Sequence, residues 1–258
     1  MCSIAGAIGF INPRIKNAVA QMDAAQAHRG PDANGFWAST NCWQTGESEN
    51  GTLLAHRRLA IIDLTPDGCQ PMANAAQGTV IVFNGEIYNY RELRAELIAA
   101  GMTFHTHGDT EVILRAHEHW GLNAVERLRG MFAYALWEPA ERRVLLVRDR
   151  LGIKPLYYAE FEHGAGKRTV IFSSELRAIL ASDLTSRRLN PVGLSSYIWN
   201  GFVAGPQTII EGVQMLSPGA MAAVSIDQPR VKQTVYWNLP RTNGTRTTPD
   251  ALAESLNT

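Results

Sequence analysis

With 258 residues, 45% of them hydrophobic, the chain is long enough for one large domain, or one domain and a tail, and apolar enough to bury a core. Lysine plus arginine and aspartate plus glutamate each number 24, so the formal net charge is zero and no basic excess points to nucleic acid or an anionic membrane. No apolar run approaches a membrane span and no secretory signal pattern opens the chain. The three cysteines, Cys2, Cys42 and Cys69, are too few and too odd in number for a disulfide scaffold, so a reducing cytoplasm is the expected location.

Residues 4–10 (IAGAIGF) read as a short buried strand directly after Cys2. Residues 14–27 read as a helix with Ile15, Val19 and Met22 on one face, broken by Gly30 and Pro31. Residues 53–64 mix apolar and basic side chains and read as strand ends around a loop. Residues 79–85 (TVIVFNG) are a β-branched strand running into a glycine turn. A helix is expected over 91–101, with Leu93 and Leu97 paired and Gly101 capping it, and a second over 111–119. Residues 131–138 and 143–149 form a hairpin around Pro139. A further strand pair is expected at 155–161 and 169–174, then a short helix to Ala181. The turn between them, HGAGKRT, resembles a phosphate loop, but Phe161 stands where the first glycine should be and Arg168 follows Lys167. The pattern is α+β over roughly the first 185 residues. Residues 186–258 are expected to be a linker and the start of another domain. Their apolar residues, such as Ile198, Trp199, Phe202 and Ile210, show no clear period, and Thr248 begins a helix that soon stops.

Cys2 follows the initiator methionine. Removal of Met1 would give it a free α-amine, with a reference pKa of about 8, able to act as base for its own thiol. Taken alone it reads more simply as a buried thiol. Asn84 and Gly85 offer an amide and a main-chain N–H, either as an oxyanion hole or as an Asn-Gly turn. Arg58 is suited to a carboxylate. Glu86 and Asp109 are suited to an ammonium, or to solvent and to a helix cap respectively. Together these residues describe a site for a free amino acid carrying a side-chain amide, the shape of glutamine. His105, His107, His117 and His119 lie close in sequence, but without a zinc spacing, and no metal is expected. His28, Arg29, Asp149 and Arg150 read as loop-pinning residues.

Colinear segments carry a resemblance: MCSIAG, HRGPD, LAHRRLAIIDL, QPM, FNGEIYNYRELRAEL, GDTEVIL, LRGMFAYALWE, RDRLGIKPLYY, FSSELRAIL and GPQTIIEGVQMLSPG. They resemble class II glutamine amidotransferases, and among these the asparagine synthetase family. Many members have glycine where Ser3 stands, although serine also occurs. The resemblance implies a four-layer αββα sandwich with two antiparallel sheets. It implies Cys2 as nucleophile and Asn84 and Gly85 as the oxyanion hole. It further implies that Arg58 binds the glutamine carboxylate, Leu59, Ala60, Ile61 and Ile62 line the pocket, and Glu86 and Asp109 meet the amine.

The family's Ser-Gly-Gly-X-Asp-Ser pyrophosphate loop is absent from this sequence. The resemblance therefore implies no cofactor for this chain, with ATP and magnesium belonging to a synthetase domain, covalently joined or a separate chain, and a homodimer as an expectation for the full-length protein. Asparagine is the leading product. Relatives acting on another acceptor, in polysaccharide or natural-product synthesis, and a non-catalytic binding module are the alternatives.

Overall fold

The computed structural model describes residues 1–40 and 48–240. Two six-stranded antiparallel sheets stack face to face. The first has the order β10-β8-β9-β1-β3-β2 and the second β12-β11-β7-β6-β5-β4. In chain order the strands are β1 Ser3–Ile11, β2 Ala33–Ala38, β3 Glu49–Arg58, β4 Met72–Asn74, β5 Thr79–Ile87, β6 Gly130–Glu138, β7 Arg143–Arg148, β8 Tyr157–Glu162, β9 Arg168–Ser173, β10 Val213–Met215, β11 Ala220–Ser225 and β12 Gln233–Val235. The helices are α1 Pro13–Ala25, α2 Tyr90–Ala99, α3 Asp109–Trp120, α4 Ala124–Arg127, α5 Leu176–Ala181 and α6 Pro191–Asn200.

The two-residue period of a strand produces the layers. In β1, Ile4 and Ile8 join Leu54, Val82, Ala135 and Leu146 between the sheets, while Ala5, Ala7 and Ile11 face Ile15, Val19 and Met22 of α1. In β6, Ala133, Ala135 and Trp137 point inward, and Phe132, Tyr134 and Leu136 pack under Leu93 and Leu97 of α2 and Val112 and Ile113 of α3. Helix, sheet, sheet, helix is the four-layer αββα order implied by the family resemblance. Gly6 is required in β1 because a Cβ there would run into the Phe172 ring and the Leu53 carbonyl. Helix α1 begins where Asn12 caps it, its Oδ1 accepting from the Ile15 N–H at 2.9 Å, with Pro13 as first helical residue.

Two expectations change. Strand β5 does not end in a turn at Gly85: it continues to Ile87, with Asn84 opposite Ala133 and Gly85 opposite Phe132. Strand β3 runs unbroken to Arg58, and the loop begins only at Leu59. The largest difference lies beyond residue 185, where chain expected to be a linker joins both sheets. Strand β10 extends the first sheet beside β8, and β11 pairs with β7 over five residues. Leu216, Ala220, Ala222, Val224 and Ile226 are buried in the inter-sheet core, and the Tyr236 hydroxyl donates to the Arg148 carbonyl at 2.7 Å. The packed unit thus extends past 185 to about residue 237. Part of the segment leaves apolar side chains uncovered: on and beside α6, Val192, Tyr197, Ile198, Trp199 and Phe202 are exposed, Trp199 to 89%. The helix expected near Thr248 lies outside the described residues.

A chain ended after residue 185 should lose cooperative unfolding. Strand β7 would become a bare edge, and each buried apolar side chain removed from the core forfeits roughly 1.5–3 kcal/mol. A chain ended after residue 237 should unfold in one transition. Urea titration followed by near-ultraviolet circular dichroism distinguishes the two; equal midpoints would show that β10–β12 contribute nothing to the core.

Candidate active site

A single pocket gathers Cys2, Arg58, Leu59, Ala60, Ile61, Ile62, Asn84, Gly85, Glu86 and Asp109, all the residues singled out from the sequence, together with Asp63, Gly68, Gln70, Thr110, Met131 and Lys154. Cys2 immediately precedes β1, a strand with neighbours on both sides. Its sulfur accepts a hydrogen bond from the Leu59 N–H at 3.3 Å, so the first residue after β3 meets the thiol. Burial pushes the Cys2 thiol up; the Leu59 main chain, the chain's terminal ammonium and Arg58 pull it down, while Asp109 opposes them. Arg29 donates from Nε to the Cys2 carbonyl at 3.1 Å and from Nη1 to Glu175 at 3.1 Å. HRGPD therefore does more than shape a loop: Arg29 fixes the main chain of Cys2, and Asp32 Oδ2 accepts the Ala60 N–H at 2.8 Å.

Arg58 is held by the loop that follows it. Nη2 donates to the Asp63 carbonyl, and Nη1 donates to the Thr65 carbonyl at 2.9 Å and to Cys69 Sγ at 3.4 Å. Gly68 lets the loop close over the guanidinium, because a Cβ there would strike Nη2. Asp63 accepts from the Thr65 hydroxyl and N–H and from the His107 N–H, which ties this loop to the approach to α3. The Thr65 hydroxyl, its main-chain N–H and that of His107 hold the Asp63 carboxyl below its ordinary range.

Strand β5 supplies the opposite wall. Phe132 gives its N–H and its carbonyl to Asp149, on the β7 side, so its cross-strand partner Gly85 points its own main-chain groups away from β6. On that outer edge Gln70 Oε1 takes the Phe83 N–H at 2.6 Å and Asp109 Oδ2 takes the Ile87 N–H at 2.9 Å. The alternation puts the Gly85 N–H between them, facing the pocket. A side chain at Gly85 would collide with the Met131 carbonyl. The neighbouring Asn84 is 1% exposed, yet neither Nδ2 nor Oδ1 has a hydrogen-bond partner. Such a buried, unsatisfied amide is costly unless a ligand completes it.

Asp109 is the first residue of α3, whose N-cap is Gly108, and it makes no cap of its own. Burial pushes its carboxyl up to about 6, against the pull of the Ile87 N–H. His56 is buried and held neutral, pushed down to about 3 by burial. Its Nε2 lies 3.1 Å from the Phe83 carbonyl and so carries a proton as donor. His117 is likewise internal, 2.8 Å from the Tyr134 hydroxyl. Among the described residues no cluster of His, Cys, Asp and Glu is arranged for a metal. Asp149 pins its loop, accepting from the N–H groups of Phe132, Leu151, Ile153 and Lys154.

The Cys2 thiol at the start of a central strand, the edge N–H of Gly85, the Asn84 carboxamide, a cation and an anion thus share one pocket between the ends of strands β1 and β5 of the two sheets. The family model described as "Glutamine amidotransferase domain" matches residues 1–237, and the chain belongs to that family. It is 37% identical over 247 residues to a Mycobacterium tuberculosis protein provisionally named asparagine synthetase [glutamine-hydrolyzing], covering 92% of this chain and 36% of the relative. To asparagine synthetase [glutamine-hydrolyzing] 3 of Bacillus subtilis it is 33% identical over 258 residues, covering 98% and 39%. The chain thus spans less than two fifths of the length of these relatives. In fold it is similar to the Bacillus subtilis glutamine phosphoribosylpyrophosphate amidotransferase (TM-score 0.64, 18% identity), over 93% of this chain and 50% of that one.

The raised Asp109 carboxyl carries a stability cost with a definite sign. Folding raises its pKa from 3.8 to about 6, so the folded chain keeps the proton that the unfolded chain loses. Stability should fall as pH rises from about 4 to about 6 and stay lower above, by roughly 2–3 kcal/mol from this group. Asp109→Asn can still accept the Ile87 N–H and should recover most of that loss at pH 7. Urea unfolding of both chains at pH 4 and pH 7 checks it; an Asn variant that is less stable at pH 7 would contradict the assignment.

Proposed function

We propose that this chain hydrolyses glutamine to glutamate and ammonia through a thioester on Cys2. The observation that carries the reading is the buried, unpartnered Asn84 amide beside the edge N–H of Gly85, in the pocket that holds the Cys2 sulfur. Two donors aimed at one spot next to a thiol suit an oxyanion.

With Met1 removed, the Cys2 amine takes the thiol proton and the sulfur attacks the side-chain amide carbon of glutamine. The new S–C bond pushes an electron pair onto the amide oxygen, which receives hydrogen bonds from Asn84 Nδ2 and the Gly85 N–H. The pair returns, the C–N bond breaks, and the proton held by the amine passes to the leaving nitrogen, giving ammonia. A water then loses a proton to the amine and attacks the thioester, releasing glutamate and restoring the thiol. Arg58 pairs with the substrate carboxylate, and its loop carbonyl contacts keep the guanidinium preorganised for that. Asp109 and Glu86 receive the substrate ammonium, and Leu59 to Ile62 form the wall beside it. This chain needs no cofactor for these steps.

The acceptor of the ammonia is aspartate in this reading, on the strength of relatives named as asparagine synthetases. ATP and magnesium then act in a synthetase region matching the part of those relatives that this chain does not span.

Cys2→Ala should abolish glutamate release while glutamine still binds, measured by calorimetry. Asn84→Ala should lower turnover by roughly two to three orders of magnitude with a smaller change in affinity. Equal losses in turnover and affinity would make Asn84 a ground-state contact only. Intact mass should show the active chain beginning at Cys2; full activity with Met1 retained would remove the amine from the mechanism.

A further inference from the structure

Lys154 stands at the nucleophile without the partner that a buried ammonium ordinarily has. It lies between β7 and β8, and its main chain is fixed on both sides: its N–H donates to Asp149 Oδ2 at 2.9 Å, and its carbonyl accepts from Arg148 Nε at 2.8 Å. The residue is 5% exposed. Its Nζ donates to the Met1 thioether at 3.0 Å, a weak acceptor for a cation. Among the described residues no carboxylate forms an ion pair with it, although it shares the pocket with Cys2, Asn84 and Glu86. Departure of Met1 removes that thioether. The ammonium then remains in the pocket that holds Cys2.

We propose that Lys154 is a positioning residue of the hydrolysis put forward above, its ammonium favouring loss of a proton from the coupled thiol and amine of Cys2. The two groups share the proton that starts the reaction, so they titrate as a pair. A nearby cation repels the protonated amine and attracts the thiolate, and both effects act in the same direction. The rest of the pocket is divided. Burial, and more weakly Asp109, keep the proton on the thiol, while the Leu59 main chain, the terminal ammonium and Arg58 draw it off. Lys154 itself is pulled below the ordinary lysine value by burial and then by Arg29, while Glu86, Asp149 and Cys2 help it stay charged. Two unit charges several ångströms apart at a partly wet site interact by enough to move a titration by about one pH unit.

The test uses the full chain beginning at Cys2, as wild type, Lys154→Arg and Lys154→Met. The rate of Cys2 alkylation by iodoacetamide is followed across about pH 6 to 10 by mass spectrometry of the N-terminal peptide, with no glutamine present. The midpoint should rise by about one pH unit in Lys154→Met and stay at the wild-type value in Lys154→Arg, which keeps the charge. The rising limb of glutamate release with pH should move with it. An unchanged midpoint in Lys154→Met, even with reduced activity, would overturn the proposal and leave a lysine that only packs. Equal shifts in both variants would also overturn it, by implicating shape rather than charge. Should Lys154→Met fail to show a cooperative melt, Lys154→Gln supplies the neutral side chain and is judged the same way. Since alkylation requires no substrate, a wild type that releases no glutamate would sink the hydrolase reading while this measurement still decides the role of Lys154.

Discussion

The nine-residue ladder of β1 is the constraint on which the site depends. Ser3 to Ile11 pair with β3 along their whole length and with β9 over five residues, and nearly all of them are buried. A chain terminus ordinarily frays, because few contacts offset the entropy of its last residues. Here the ladder begins one residue after Cys2, so Cys2 inherits the rigidity of the sheet centre. Arg29 on the Cys2 carbonyl and the Leu59 N–H on its sulfur remove the freedom that remains. The proposed hydrolysis would require this, since in it the amine and the thiol must both be held against a bound glutamine.

Around that fixed point, flexible chain is tied down by main-chain hydrogen bonds rather than by packing. Ile61, Ile62 and Leu64 of the loop after β3 are exposed, so apolar burial does not hold it. Its shape comes from the Arg58 guanidinium, from Asp63 and Thr65, and from Asp32. The pocket wall and the loop structure therefore share one residue. A guanidinium has five donors, and Arg58 spends three hydrogen bonds on its own loop while still lining the pocket.

Much of this was legible in the sequence, for identifiable reasons. Strands β1, β6 and β7 are near-continuous apolar runs, as strands covered on both faces are, and α1 shows Ile15, Val19 and Met22 on one face. Cys2, Arg58, Asn84 and Asp109 stood out because their chemistries complete one another. What was not legible depends on pairing between distant segments. Asn-Gly in isolation is a turn; only the register against β6 carries the strand on to Ile87. Residues 213–235 look like linker because their strands are short and two of them, β10 and β11, find partners more than fifty positions back in the chain, on β8 and β7. Helix α6 had local signals that a periodicity reading passes over: Asn190 accepts from the Val192 N–H, Pro191 follows, and Gly201 closes the end in a left-handed conformation. Arg29 reads as a loop-pinning residue and Lys154 carries no signal of its own; only the fold brings the Arg29 guanidinium to the Cys2 carbonyl and Lys154 into the same pocket.

The parity of β5 sets how this protein can change over evolutionary time. Main-chain groups alternate sides along a strand, so Gly85 reaches the pocket only while it stays opposite Phe132. One residue inserted or deleted between Thr79 and Gly85 would turn a different peptide outward and swing the Asn84 side chain to the opposite face. The long excursion between β5 and β6, which carries α2, α3 and α4, faces no such parity rule as long as Asp109 still reaches the Ile87 N–H. Length variation among descendants of this fold should therefore gather in that excursion and in the β8–β9 turn, while β5 drifts by substitution alone.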